Sequence, residues 1–591
     1  MLIFPSRSQK RCNRGGAKLF VPLLLIATAE AAAADWHVSL NGSDRAGNGS
    51  KQKPYATPQK GVEAAQPGDT VRVEKGYYRG NVIFSRSGSR DARITLAGEP
   101  GTILDSGVRF SGWEADPTRP GTGVYRIPLS ALPFKPAHMT WNNRYILRLN
   151  EGQAKIKEAA AYFARLTAAP TDASWDGVEA FFGTRDDFLY VRFRNREDPG
   201  REDITFNRER SQPGAGTVNV DSCSFITIRG FQIQGGGAGV ALRRGANDNI
   251  VEDNFILHGR DGIHVGGFAS PPVPSHRNII RNNRITLNYI HDLSPRHRLH
   301  GYIWSQFKEY SDTDRHAVYL FYAGDDNEVY GNEIFQHWDG VQDSAGGATR
   351  EEYASYCRRL KVHDNVFRVM GDDALEPTGG EIDAEYYNNI CTDALIALRL
   401  KDVKIGPCYV YGNQFSGWKG GRDMYYFAGS PGTVYLYHNT FANPAGLVMG
   451  STTPEAGAPN VWFINNIFSN ERFWRTTERW KMDAHAHHNW IGGDAQKFNW
   501  IADDNILAPG VRLWEPGETN FLLTADSPAR GSGVDLSRPV TLAGKTLGPM
   551  PGMKPGYFTG ARPDVGAVQH GQKPKAVALP EEPRPATPSG R

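Results

Sequence analysis

Cysteine is scarce, with 5 in 591 residues, and no two stand as C-x-x-C or at zinc-finger spacing. That excludes disulfide-framed miniproteins and zinc modules. No apolar stretch approaches the ~20 residues that span a bilayer, so a multi-span membrane protein is excluded. Helical periodicity is rare, and a leucine scaffold for leucine-rich repeats is absent. No H-E-x-x-H, phosphate loop, dinucleotide fingerprint or nucleophile elbow fits. Net charge is also small, at +3. The first 34 residues carry five Lys/Arg and one acid, which leaves 62 basic and 63 acidic residues beyond them. Such a neutral body has no electrostatic footprint for nucleic acid.

Basic residues up to Lys18, the apolar run LFVPLLLIATA at 19–29 and small residues ending at Ala34 follow the order of a secretory signal. A signal over 1–34 is expected, with an alternative cut after Ala31. The chain would then be secreted or periplasmic, without a membrane span, and a monomer is expected. Cys223, Cys357, Cys391 and Cys408 remain after cleavage, and buried thiols fit as well as one or two bridges. Residues 572–591 are rich in proline and charge and read as a disordered tail.

What the chain has is a repeat. Asparagine recurs in VEDNFI (Asn254), IRNNRI (Asn283), VYGNEIF (Asn332), VHDNVF (Asn365), EYYNNI (Asn388), VYGNQF (Asn413), LYHNTF (Asn439) and FINNIF (Asn466). The shortest spacings give a period of 23–27 residues, and the longer ones are turns with insertions. Short alternating strands at such a period mean a solenoid. Propeller blades need longer repeats. A parallel β-helix fits, with one Asn per coil stacked at the same turn, where it bonds the next coil and tolerates a left-handed bend. The expected fold is all-β: a right-handed, single-stranded parallel β-helix with an inserted β-sandwich-like module.

Further segments carry a resemblance. They are WHVSLNGSD (36–44), PYATPQKGVEAAQPGDTVRVEKGYYRG (54–80), ITLAGEPGTILDSG (94–107), SPARGSGVDL (527–536) and RPDVGAVQHG (562–571). Together they resemble the opening and closing segments of secreted right-handed parallel β-helix carbohydrate-active proteins, the pectate-lyase-like superfamily. GVYRIPL (123–129) to FLYVRF (188–193) resembles the β-rich insertion of that superfamily's glycoside hydrolases. The implied organisation is an N-terminal cap and first coils over 35–107, the module over 108–210, and the main β-helix with its closing segment over 211–571. A short helix over 58–65 would cap the open end before a first strand at 70–74. The superfamily includes hydrolases, lyases, epimerases and binders, so chemistry must come from the site.

A second register suggests where that site lies. Asp261, His316, Asp339, Asp373, Asp393 and Asp423 stand at one point of successive coils, and His264, Tyr319, Gln342, Glu376, Ile396 and Tyr426 three residues later. Strand parity sends Ile263, Val318, Val341 and Leu375 inward, so the second column faces outward. Carboxylates in neighbouring coils then stand about 5 Å apart, and diagonal ones about 6–9 Å. These are the separations of retaining and inverting glycosidases, and crowding raises one pKa.

The leading expectation is therefore a glycoside hydrolase with Glu376, Asp339 and Asp373 as catalytic carboxylates. His316 and Gln342 would orient them or hold hydroxyls, with His264 and Arg399 on the same face. Tyr319, Trp338 and Trp304 would stack on sugar rings. Insertions at 289–315 and 344–356 would wall the groove. No cofactor is required, although Asp339, Asp343, Asp372 and Asp373 offer oxygen ligands to Ca²⁺. With such a cation the second reading is a uronate-directed lyase or epimerase, its base sought among Lys308, Arg315, Arg399 and Lys401. The third is a noncatalytic glycan-binding solenoid.

Overall fold

The computed structural model describes residues 33–572 apart from 176–177, 210, 212–213, 258, 268–270, 288–309, 312–314, 346–354, 401–402, 417–421, 427–431, 443–446, 450–457, 470–471, 475–481, 492–502 and 508–520. The signal, nearly all of the tail, Trp304, Lys308 and Lys401 lie outside the described residues. Among the described residues no helix is long and apolar enough to cross a membrane.

The chain is a right-handed parallel β-helix. One coil shows the plan. Ile250–Glu252 lies in the first sheet, Phe255–Leu257 in the second and Asp261–Gly266 in the third, before the chain returns to the first at Ile279–Arg281. Among the described residues the first sheet holds 13 strands, and its register stacks Val251, Ile280, Val329, Val362, Tyr386 and Val410 inside the tube. The second and third sheets are joined into one of 22 strands, because Val366–Thr378 and Ile390–Leu400 run unbroken through the corner.

The asparagine ladder stands at the turn between the first two sheets. Asn283 Oδ1 accepts the main-chain N–H of Asn254 and its Nδ2, each at 3.1 Å, while Asn283 Nδ2 donates to Val251 O at 2.9 Å. The same exchange passes through Asn332, Asn365, Asn389, Asn413, Asn439, Asn466, Asn489 and Asn505. Two expectations are corrected here. The ladder residue in EYYNNI is Asn389, not Asn388. The left-handed bend belongs to the residue before the ladder Asn, from Asn254 to Asn489: Asp253, Asn282, Gly331, Asp364, Asn388, Gly412, His438, Asn465 and His488 all have φ between 52° and 65°. The Asn is therefore free to keep its side chain inside the tube. A second, shorter ladder, Asn249–Asn278–Asn327, stands at the entry to the first sheet.

The first strand is Asp35–Val38, which pairs with Thr70–Val73, so 70–74 is second in order. Helix Pro58–Ala64, capped by the Thr57 side chain on Lys60 N, buries Gly61 and Val62 against Val38 and Val71. Cys223, Cys357, Cys391 and Cys408 are buried free thiols, which removes the bridged alternative.

The inserted module has two sheets. Five strands, Glu114–Ala115, Val124–Pro128, Phe188–Phe193, Ala180–Arg185 and Leu147–Leu149, form the larger. Arg144–Tyr145, His138–Trp141 and Ile204–Asn207 form the smaller. Met139, Ile146, Phe182, Val191 and Phe206 pack between them. The other face of the larger sheet carries a helix absent from the expectation, Ala159–Thr167, whose Tyr162 and Leu166 cover Leu147, Leu149 and Phe181. Trp338 and Leu287 of the solenoid complete that core.

Candidate active site

The acids stand on the third sheet. Ile263, Val318, Val341 and Leu375 form an inward column, all at most 1% exposed. The alternate column, His264, Tyr319, Gln342 and Glu376, therefore lies on the outer side. Beyond Glu376 the expected register fails. A bulge in Val366–Thr378 pairs Asp373 with Ile396 and Leu375 with Leu398. Asp393 bends left-handed at φ 56° and leaves the acid column. Leu398 points inward, and Arg399 takes the outward place beside Glu376. Tyr425 and Tyr426 pair in turn with Arg399 and Leu400.

A chain of polar contacts crosses five coils. Asp261 holds His264 Nδ1 at 2.8 Å and His316 Nδ1 at 3.2 Å. His316 Nε2 lies 3.7 Å from Asp339 Oδ2, and Asp339 Oδ1 accepts the N–H of Asp373 at 3.3 Å. Arg399 approaches Asp373 Oδ2 at 2.6 Å and Asp372 Oδ1 at 3.0 Å. Tyr319 stacks on His316 at 4.1 Å. One carboxylate oxygen each of Asp339, Asp373 and Glu376 lies within 4.8 Å of the other two, and none of the three residues is more than 5% exposed.

Burial sets the electrostatics. It pushes the Asp373 carboxyl well above the usual range; Arg399 pulls it down, while Asp372 and Glu376 add to the push. Burial works against the charge on Arg399 too, but Asp373, Asp372 and Glu376 outweigh it and hold the guanidinium charged. His337, two residues before Asp339, is pushed down to about 3 by burial and by His316, so it stays neutral.

Two expected site residues go elsewhere. Trp338 is buried in the core of the inserted module and cannot stack on a sugar. Asp343 follows Gln342 by one residue, so it points inward, where it meets Glu381 and Tyr386 and not the outer acids. Asp372 meets the site through its bond to Arg399 and through its charge on Asp373. His337 stands in the coil that the sequence marks as rich in polar residues, whereas sequence reasoning missed Glu381, which carries no periodic signal. A cleft of about 640 Å³ opens between Tyr387, Tyr411, His438, Met553 and Tyr557. Its only acid, Glu385, is engaged by the Tyr411 hydroxyl, so the chemistry is better sought at the outer acids.

The fold is matched by comparison. Residues 216–394 match the family model described as right handed beta helix region. No curated protein matches the sequence. Among solved structures, the chain is similar to XylC in complex with xylose, at 17% identity over 79% of this chain and 76% of that one, with a TM-score of 0.48. It is also similar to pectate lyase Pel9A, at 13% identity over 91% and 96%, TM-score 0.41. A third is a GH136 lacto-N-biosidase from Eubacterium ramulus, at 12% identity over 80% and 68%, TM-score 0.32.

Proposed function

We propose that the protein is a secreted glycoside hydrolase acting on a polysaccharide or oligosaccharide, with a retaining mechanism. The observation that carries this is the buried triad Asp339, Asp373 and Glu376, with oxygens within 4.8 Å of one another. Carboxyl groups about 5–5.5 Å apart leave no room for an inserted water, so one attacks the anomeric carbon directly. Asp339 suits that role, being aimed by His316 and by the N–H of Asp373. Glu376 suits the acid that protonates the leaving oxygen, since three crowded, buried carboxyls keep a proton among them. The same Glu376 then deprotonates the incoming water. Gln342 and His264 flank the acids as hydroxyl partners.

One observation favours a second reading. Three carboxylate oxygens so close also suit a divalent cation such as Ca²⁺, which takes oxygen ligands. A uronate lyase or epimerase needs in addition a basic residue able to give up its proton. Arg399 is held charged by two carboxylates, and Arg315 is engaged by the inserted module, which weighs toward hydrolysis.

The test is a glycan panel read in parallel for reducing ends and for the near-ultraviolet absorbance of a new C=C bond, with and without EDTA. Reducing ends alone, unaffected by EDTA and released with retained anomeric configuration, support the proposal. Absorbance lost with EDTA overturns it in favour of the lyase. Inversion overturns the roles given to Asp339 and Glu376.

A further inference from the structure

The residues just before the site column share a property. Arg260 precedes Asp261, Arg315 precedes His316 and Trp338 precedes Asp339. Each sends its side chain into the inserted module or its return linker. Arg260 Nη1 meets the Glu209 carboxylate at 3.2 and 3.3 Å. Arg315 Nη1 donates to His138 Nδ1 at 3.0 Å, and its guanidinium lies 4.8 Å from the centre of the Tyr145 ring. Trp338 is enclosed with Tyr145, Leu147, Leu149 and Phe181.

The main chain of the same three residues carries the next coil of the site. Arg260 O accepts the N–H of His316 at 3.1 Å, Arg315 O that of Asp339 at 2.9 Å, and Trp338 O that of Asp372 at 2.9 Å. A displacement of any of these residues is passed to the site residue bonded to its carbonyl. Resting on the hydrolase reading of this site, we infer that the inserted module is a positioning scaffold, and that His138, through Arg315, fixes the entrance of the strands that carry His316 and Asp339. His138 touches none of the three acids; it is a positioning residue.

The physical case is strongest at His138. The ring is fully buried and held neutral by burial and by Arg315, so Nδ1 offers a lone pair to the guanidinium. Loss of that acceptor removes a buried hydrogen bond from the guanidinium, and Arg315 shifts toward its other contacts. Misplacement of a reacting group by about 1 Å is enough to cost on the order of 100-fold in rate.

The experiment compares His138→Ala with His138→Asn, whose amide oxygen stands near the place of Nδ1, in the full chain. The readouts are kcat and KM on the glycoside that the panel identifies, the pH profile of kcat, and the titration of ¹³C-labelled histidine rings by NMR. The expected result for His138→Ala is a fall in kcat on the order of 100-fold, with KM within a few-fold and displaced titration of the His316 ring. His138→Asn restores both. A wild-type pH profile, kcat and His316 titration in His138→Ala, with only a lowered Tm, overturns the inference. Should the wild type hydrolyse no glycoside, the functional reading fails, and the His316 titration still decides the positioning role.

Discussion

Asp343 and Glu381 give a prediction that follows from placement alone. Both are buried inside the tube, with Tyr386 OH 3.0 Å from Asp343 Oδ1 and 3.2 Å from Glu381 Oε2. Thr378 N donates to Asp343 and Gly379 N to Glu381. Around them stand Tyr386, Cys357 and Cys408, which also stay neutral. Burial pushes both carboxyls up, and Asp343 pushes Glu381 further. The folded chain therefore keeps a proton that the unfolded chain loses above about pH 4. Stability contributed this way is full below the unfolded pKa and falls as pH rises toward the folded one, by about 1.4 kcal/mol per pH unit for one proton. Asp343→Asn removes one titrating group and the Asp343 charge that adds to the push on Glu381, while burial still raises Glu381, so the slope becomes shallower. Urea unfolding of both proteins at pH 5, 6 and 7, followed by circular dichroism, measures the difference. The variant is expected to gain on the wild type as pH rises from 5 to 7, by at most about 1.4 kcal/mol per pH unit for the proton no longer held, and Glu381→Gln should behave alike. A difference that stays flat, or a variant that loses ground as pH rises, refutes the shared proton.

Asn389→Ala removes the acceptor of Asn365 N and of one Asn365 Nδ2 hydrogen, the other staying on Val329 O, and removes a donor from Val362 O. At about 1–3 kcal/mol for each buried unsatisfied group, it should lower stability by several kcal/mol, read as a lowered urea midpoint; loss below about 1 kcal/mol would deny the ladder its role. Glu376→Gln and Asp339→Asn should each cut turnover by about 10²- to 10⁴-fold while the far-ultraviolet spectrum stays unchanged. Arg399→Gln removes the charge that pulls Asp373 down, so groups titrating with Asp373 should move to higher pH, and the alkaline limb of the activity profile with them; a shift to lower pH contradicts the assignment. The four described cysteines should all react with a thiol reagent after denaturation without reductant, and a smaller count would reveal a bridge.

The solenoid was legible because its signal is periodic. Each Asn string repeats the same turn, and inward Ile263, Val318, Val341 and Leu375 repeat the same parity. The columns held from Asp261 to Glu376 because strand pairing there is unshifted, whatever the length of chain between coils. They failed at Asp393, where a bulge between Met370 and Asp373 shifts the pairing; nothing in DALIALRL marks a bulge in the preceding strand. Asn388 and Asn389 were indistinguishable as letters, and only the φ of Asn388 separates bend from ladder. Trp338 carried no sign of its destination, since its partners lie about 160 to 200 positions away in the inserted module. The helix Ala159–Thr167 was overlooked between strand-like segments, although its alanines favour a helix.

The ladder also separates two things that most folds bind together. Successive ladder asparagines are 29, 49, 33, 24, 24, 26, 27, 23 and 16 residues apart. Yet His316 pairs with Asp261 across 55 residues of chain as faithfully as Asp339 pairs with His316 across 23. Each coil takes its alignment from the amide of the next, not from the length of chain between them. Doubling a loop costs only about 0.6 kcal/mol of closure entropy. The excursions between coils are thus free to lengthen, shorten or be exchanged while the acids stay where they are. A lineage built on this frame can reshape the surface around the acids without moving the acids themselves.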